Sequence, residues 1–163
     1  MIFKNLQNNK GYTLLFAVLV SSLVLAIGIS ILNVSKKEFL LSSSARESVT
    51  AFYAADTGIE CAAFHDDSAR DRFSVTNFST GIDCAGNHYD ISIDSSVLGT
   101  VVYTFDMNLN NGSCAIVEVI KVMFPIIGTN IRSSGYNMGW NSTNLRCENP
   151  SPRRVERVLY YSY

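Results

Sequence analysis

Cys61 and His65, and again Cys84 and His88, are separated by three residues, and two cysteines with two histidines form a common zinc donor set. On a helix a spacing of four places Cys61 and His65 on one face, so the first half of such a site is physically workable. Oxidation is the competing chemistry. The chain has four cysteines, Cys61, Cys84, Cys114 and Cys147, and an even number, if that part of the chain lies outside the cytoplasm, suggests two disulfides, with three connectivities possible. We favour Cys61 with Cys84, tying a loop back to the end of a helix, and Cys114 with Cys147, tying the last irregular loop to a sheet. No metal or other cofactor is expected on that reading. Asp66, Asp67 and Asp71 near His65 could act as acid and base or as calcium ligands, but a run of acids after a helix is more simply a solvated loop. Arg153, Arg154 and Arg157 could meet phosphate or DNA. Glu156 among them, and the alternation of Val155, Leu159 and Tyr161, favour a partly exposed strand instead. No nucleophile elbow, phosphate loop or zincin motif occurs, and no enzymatic role is expected.

The elements that would hold these residues begin with a run of about 24 residues without any charge, Tyr12 to Ser35, after the basic leader MIFKNLQNNKG. About 20 residues at ~1.5 Å each cross the apolar layer of a bilayer as one helix. A secretory signal has a shorter apolar region and a small-residue cleavage site. Here the helical pattern runs on through Lys36, Lys37 and Glu38 to about Phe64, ~80 Å in all, and the first proline is Pro125. Phe39, Val49, Phe52, Ala55, Ile59 and Ala62 form an amphipathic stripe, expected to pack on a sheet, while Lys37, Arg46, Glu47 and Glu60 stay solvated. Asp66 to Asn87 reads as a loop broken by Gly81 and Gly86. Strands follow at 89–93, 101–105 and 115–122, the last two joined at Asn110-Asn111-Gly112 as an antiparallel hairpin, with further strands at 129–134 and 155–161. Gly135 to Pro152 reads as an irregular loop. The fold class is α+β, a long N-terminal transmembrane and amphipathic helix laid on a small C-terminal antiparallel sheet. Its parts are a leader at 1–11, a membrane half of the helix at 12–35, an exposed half at 36–66 and a sheet domain at 67–163.

Lys10-Gly11 followed by Tyr12-Thr13-Leu14-Leu15 resembles the prepilin peptidase site of type IV pilins and pseudopilins. Ala51-Phe52-Tyr53-Ala54-Ala55-Asp56-Thr57-Gly58-Ile59-Glu60 is similar to a stretch of the PilX-like minor pilins, so the resemblance covers the first 64 residues or so. It implies cleavage between Gly11 and Tyr12, N-methylation of Tyr12, and a leader on the cytoplasmic side. Charge counting alone leaves the orientation tied, because Lys4 and Lys10 flank one side of the span and Lys36 and Lys37 the other. The Cys114–Cys147 pair would resemble the disulfide-bounded loop near the carboxyl end of many pilins. Implied partners are the prepilin peptidase, other pilin subunits through the helix, the inner-membrane assembly machinery and membrane lipid.

The chain departs from the family at Phe16, where most members carry a glutamate five residues after the cut. A carboxylate buried among helices is costly unless paired, and in the family its partner is thought to be a neighbour's charged terminus. Members that lack the acid include the PilX-like proteins and a minor pseudopilin placed at the filament tip. Asn33 stands where many major pilins have a helix-bending proline, which leaves Gly28 as the weaker point of this helix. Ala17 with Ser21, and the row Ser22, Ala26 and Ser30, are small residues at helical spacing that let helices approach closely in a membrane.

The formal charge is −1; without Lys4 and Lys10 the 13 bases fall to 11 against 14 acids, or −3, which predicts no general affinity for nucleic acid. The reading is therefore a minor subunit of a type IV pilus or related filament, membrane-inserted before assembly and extracellular after it, placed at the tip or used to prime assembly. A pseudopilin of a secretion or DNA-uptake system, a single-pass anchored surface protein that never assembles, and a secreted metal-binding module are the alternatives.

Overall fold

The computed structural model describes residues 10–67, 70–74, 80–97, 99–109, 111–123, 127–148 and 151–163. The leader up to position 9, Asn110 of the expected turn, and Pro125 and Pro150 lie outside them. The fold is α+β: among the described residues one helix, α1 (Lys10–Asp66), is followed by nine strands in three antiparallel sheets. By its internal contacts the chain divides between Ser44 and Ala45.

In the first unit α1 is continuous through Gly28 and Asn33, and its residues from Gly11 to Ser44 are exposed. Nothing interrupts its i to i−4 ladder: the segment has no proline, and its serines bond inward. The Ser21 Oγ donates to the Val18 carbonyl at 2.9 Å, Ser22 to Leu19 at 2.8 Å and Ser30 to Ala26 at 3.1 Å, so these three hydroxyls need no partner in lipid.

In the second unit the main sheet is a meander in the order β3-β4-β5-β6-β9, formed by β3 (Ser92–Val97), β4 (Thr100–Asn108), β5 (Cys114–Val122), β6 (Gly128–Tyr136) and β9 (Glu156–Ser162). The expected β4–β5 hairpin is present and longer than its sequence signal, with Asn108 opposite Cys114 and Gly112 at φ +81° in the turn. Strand alternation places Val101, Tyr103, Phe105 and Met107 of β4 on the core face. Across the sheet each row ends on β6 in a smaller residue than it starts with on β4. Tyr103 faces Val119 and then Ile131, Phe105 faces Val117 and then Ser133, and Met107 faces Ala115 and then Gly135. That taper makes a trough on the β5–β6 side, and α1 lies in it.

Three expectations need correction. Within the segment read as a loop from Asp66 to Asn87, β1 (Gly81–Cys84) pairs with β2 (Asn87–Asp90) around Ala85 and Gly86, both at positive φ, the geometry of a tight two-residue hairpin turn. The single strand expected at 89–93 is divided at Ile91 between β2 and β3, because the chain leaves one sheet for another there. The segment from Gly135 to Pro152 is less irregular than expected: β6 extends to Tyr136, and β7 (Trp140–Asn141) pairs with β8 (Arg146–Cys147).

The face that α1 turns to the sheet matches the expected stripe only in part: Ala55 and Ala62 are buried and Ile59 packs half-buried against the core, as expected. Its other buried residues are Ala51, Ala54, Gly58 and Cys61, with His65 and Asp66 at the helix end, whereas Val49 and Phe52 are 53% and 43% exposed and Phe39 is exposed as well. Bulk decides this. A Cβ on Gly135 would stand 2.2 Å from both the Ala51 carbonyl oxygen and the Ala55 nitrogen, and one on Gly58 would stand 2.4 Å from the Ser133 Oγ. The helix backbone rests almost on the sheet, and only alanine and glycine fit between.

Candidate functional site

The first candidate is the apolar part of α1. It is long and apolar enough to cross a membrane, and none of its most apolar window is buried within the protein. The Gly11–Tyr12 bond lies at the start of the described helix. Phe16 stacks on Tyr12 one turn away, ring centroids 6.5 Å apart and planes inclined by 18°. Where the resemblance expects an acid, an aromatic ring therefore stands beside the ring of Tyr12, which stays 73% exposed. Ala17 and Ser21 share one apolar strip with Phe16, Val24, Gly28 and Leu32. Ser22 belongs to a second strip with Gly11, Leu15 and Leu19. Ala26 and Ser30 are exposed, linked by the hydroxyl bond given above.

The second candidate is the end of α1 where it meets the sheet domain. Cys61 is joined to Cys84 on β1, and Cys114 at the start of β5 to Cys147 on β8, with Cα separations of 6.0 and 5.8 Å. These are the pairings favoured from the sequence. The first staples the small hairpin to the helix, and the second holds the β7–β8 hairpin beside β4, where the Cys147 N–H donates to the Asp106 Oδ2 at 2.8 Å. Burial raises the Asp106 carboxyl above its ordinary range, and this N–H bond opposes that rise.

The two Cys-x-x-x-His pairs do not converge. One ring nitrogen of His65 lies with the Cys61 and Cys84 sulfurs, all three ligand atoms within 4.8 Å of one another. His88 is exposed on β2 and bonded through Nδ1 to the Asp83 Oδ1 at 2.8 Å. His65 is buried, and its Nε2 sits 3.0 Å from the Asp83 carbonyl oxygen. A carbonyl only accepts, so Nε2 carries the proton and a neutral ring keeps its lone pair on Nδ1. That Nδ1 is buried without a hydrogen-bond partner among the described residues, a condition that costs about 1–3 kcal/mol.

Asp66 is not the solvated loop acid expected from the sequence. It closes α1, its side chain is 1% exposed, and it is paired with the Lys121 Nζ from β5 and receives the Tyr163 hydroxyl. A carboxylate at a helix C-terminus opposes the helix dipole, and inside the protein it is tolerable only with such partners. The Tyr163 backbone also exchanges hydrogen bonds with Thr129 at 3.0 and 3.1 Å, which brings the final residue back onto β6. Burial first, and the Asp66 carboxylate second, raise the Tyr163 phenol far above its ordinary value. Asp67 and Asp71 are exposed, as a solvated loop requires.

Of the three arginines, Arg157 donates through Nε to the Ser48 Oγ on α1 at 2.8 Å, and Arg154 lies 3.6 Å over the Tyr136 ring and donates to the Cys147 carbonyl at 3.0 Å. Arg153 is exposed. They brace separate pieces of the fold and form no shared anion pocket. Asn137, unremarked in the sequence, does more: its Nδ2 donates to the Glu47 Oε2 at 2.6 Å and to the Arg153 carbonyl at 3.1 Å, and its Oδ1 accepts the Val155 N–H at 2.7 Å. An asparagine in a loop carries no pattern that would single it out.

No protein-family model, no curated protein and no solved structure matches this chain.

Proposed function

We propose that this protein is a minor structural subunit of a type IV pilus or a related filament, held in the membrane by α1 before assembly and displayed outside the cell afterwards. The observation that carries the proposal is the division of labour along α1. Its first unit holds an uncharged, exposed run of membrane length, Tyr12 to Ser35. In the second unit the helix docks on the sheet through alanine and glycine, and Val49, Phe52 and Tyr53 face solvent at 53%, 43% and 63% exposure. A protein that is only anchored gains nothing from large apolar side chains on the solvent side of its exported domain, whereas a subunit that packs its helix against other copies buries them. This favours the filament over the anchored surface protein. The role is mechanical: the helix is drawn out of lipid into the filament, and the disulfide-stapled sheet is carried with it.

Mass spectrometry of the mature chain is the test. Processing between Gly11 and Tyr12, with a methylated Tyr12, is the expected result, and Gly11→Trp should leave the leader attached and keep the chain out of filaments. A mature chain that begins at Met1 overturns the proposal.

A further inference from the structure

We propose that Cys61, Cys84 and His65 form a zinc site in the reduced protein, so that the end of α1 is fastened to the β1–β2 hairpin either by a disulfide or by a metal ion. Three independent features converge. The two sulfurs and a His65 ring nitrogen already lie within 4.8 Å of one another. Nε2 is committed to the Asp83 carbonyl, which fixes the ring's orientation and leaves Nδ1 as the available donor, an arrangement typical of metal-bound histidine. That Nδ1 is 8% exposed at the residue level and unpartnered, a polar atom with nothing to bind while the disulfide is closed. The backbone also accommodates the change. Two thiolates at about 2.3 Å from a tetrahedral zinc are about 3.8 Å apart. The Cα separation of 6.0 Å lets the sulfurs part that far by side-chain rotation.

The site differs from the two-cysteine, two-histidine set suggested by spacing. His88 is bonded to Asp83 elsewhere on the hairpin, so the protein supplies two sulfurs and one nitrogen, and water fills the fourth position. Soft thiolates with an imidazole select zinc over calcium or magnesium. The chemistry balances simply. A dithiol reductant supplies two electrons and two protons to open the Cys61–Cys84 bond and leaves as its own disulfide. Zinc then displaces the two thiol protons. Disulfide and metal exclude one another, because each needs both sulfurs.

The experiment uses the full chain in detergent micelles, oxidised or reduced with a phosphine, and titrated with cobalt(II) as a coloured substitute for zinc. We expect one equivalent of cobalt in a tetrahedral, thiolate-ligated environment in the reduced protein, displaced by zinc, and no binding to the oxidised protein. Changing both Cys114 and Cys147 to serine should leave that signal intact. His65→Gln should weaken binding by more than ~10-fold, since even residues that merely orient a ligand cost ~10- to 100-fold. Bound zinc should also slow reoxidation of the Cys61–Cys84 pair, read by mass mapping. Reduced protein that binds no cobalt, that unfolds instead, or that binds it equally well as His65→Gln, overturns the proposal.

Discussion

Gly135→Ala tests the claim that α1 is seated on the sheet by the absence of side chains. The added methyl would lie 2.2 Å from the Ala51 oxygen and the Ala55 nitrogen and 2.8 Å from the Ala55 Cα, where ordinary contact is 3.4 to 4 Å. All three are backbone atoms within a helix, so no rotamer relieves the overlap. The helix and the sheet must separate by about 1 Å, a gap that forfeits a quarter to a half of the dispersion well for each atom pair along the contact. Overpacking costs about 1–3 kcal/mol where neighbours can adjust, so a rigid neighbour puts this change at the upper end, about 3 kcal/mol or more. Out of a total stability of about 5–15 kcal/mol, that is a large share. Two substitutions calibrate it. A Cβ at Gly128, on the same strand, meets only the Tyr163 carbonyl at 3.6 Å, so Gly128→Ala should stay within about 0.5 kcal/mol of the parent. Gly58→Ala meets side-chain atoms, the Ser133 Oγ at 2.4 Å and a Val117 methyl at 2.7 Å, and should fall between the two. Urea unfolding in micelles, followed by the fluorescence of Trp140, the single tryptophan, gives all three values. The docking argument is falsified if Gly135→Ala and Gly128→Ala unfold at the same urea concentration.

The disulfides close loops of 23 and 33 residues, and in the chain-entropy account each contributes roughly 3.5 kcal/mol, so replacing either pair by alanine should lower stability by ~2–4 kcal/mol in the same assay. A loss below ~1 kcal/mol for both would show that the unfolded chain is already constrained. The Tyr163 phenol is raised in the folded state, so above pH ~10 the unfolded chain loses that proton first and stability declines as pH rises. Tyr163→Phe should make the alkaline decline shallower, and an unchanged slope would exclude Tyr163 as its source. On the filament reading, Phe16 cannot neutralise a neighbour's terminus, so the subunit should be scarce in sheared filaments by quantitative mass spectrometry. Finding it as the dominant subunit would refute that reasoning.

What the sequence could show followed the range of each signal. An uncharged run and a turn at Gly112 are local patterns, and the apolar helix and the β4–β5 hairpin follow from them. The even set of cysteines pointed to two disulfides but left three connectivities, of which the favoured one is present. The fate of Asp66 depends on Lys121 and Tyr163, partners distant along the chain, and no window around an acid at the end of a helix contains them. The β1–β2 hairpin was hidden for a different reason. Its strands are four residues each, and Ile82 and Tyr89 are the buried residues among them, so alternation had too little length to register.

The stripe on α1 shows a more general limit of periodicity. A helical repeat of apolar residues identifies a face that avoids water, but it does not say what covers that face. Here two faces compete. The smaller residues Ala51, Ala55, Gly58 and Ala62 are taken by the sheet, because Gly135 and Ser133 let the backbones close to contact. The larger ones, Val49, Phe52 and Tyr53, are left outside. Close packing of backbones favours small residues even where a larger side chain would bury more apolar area, since an overlap of about 1 Å cannot be relaxed in a helix. The bulky residues are then the part of the pattern that the isolated subunit does not explain. Their burial requires a second surface, which the filament reading supplies, so substituting Phe52 and Tyr53 by serine should leave the unfolding transition of the isolated domain nearly unchanged while reducing incorporation into filaments. If the double substitution destabilises the domain itself by more than ~1 kcal/mol, those side chains belong to its core and the argument for a second surface fails.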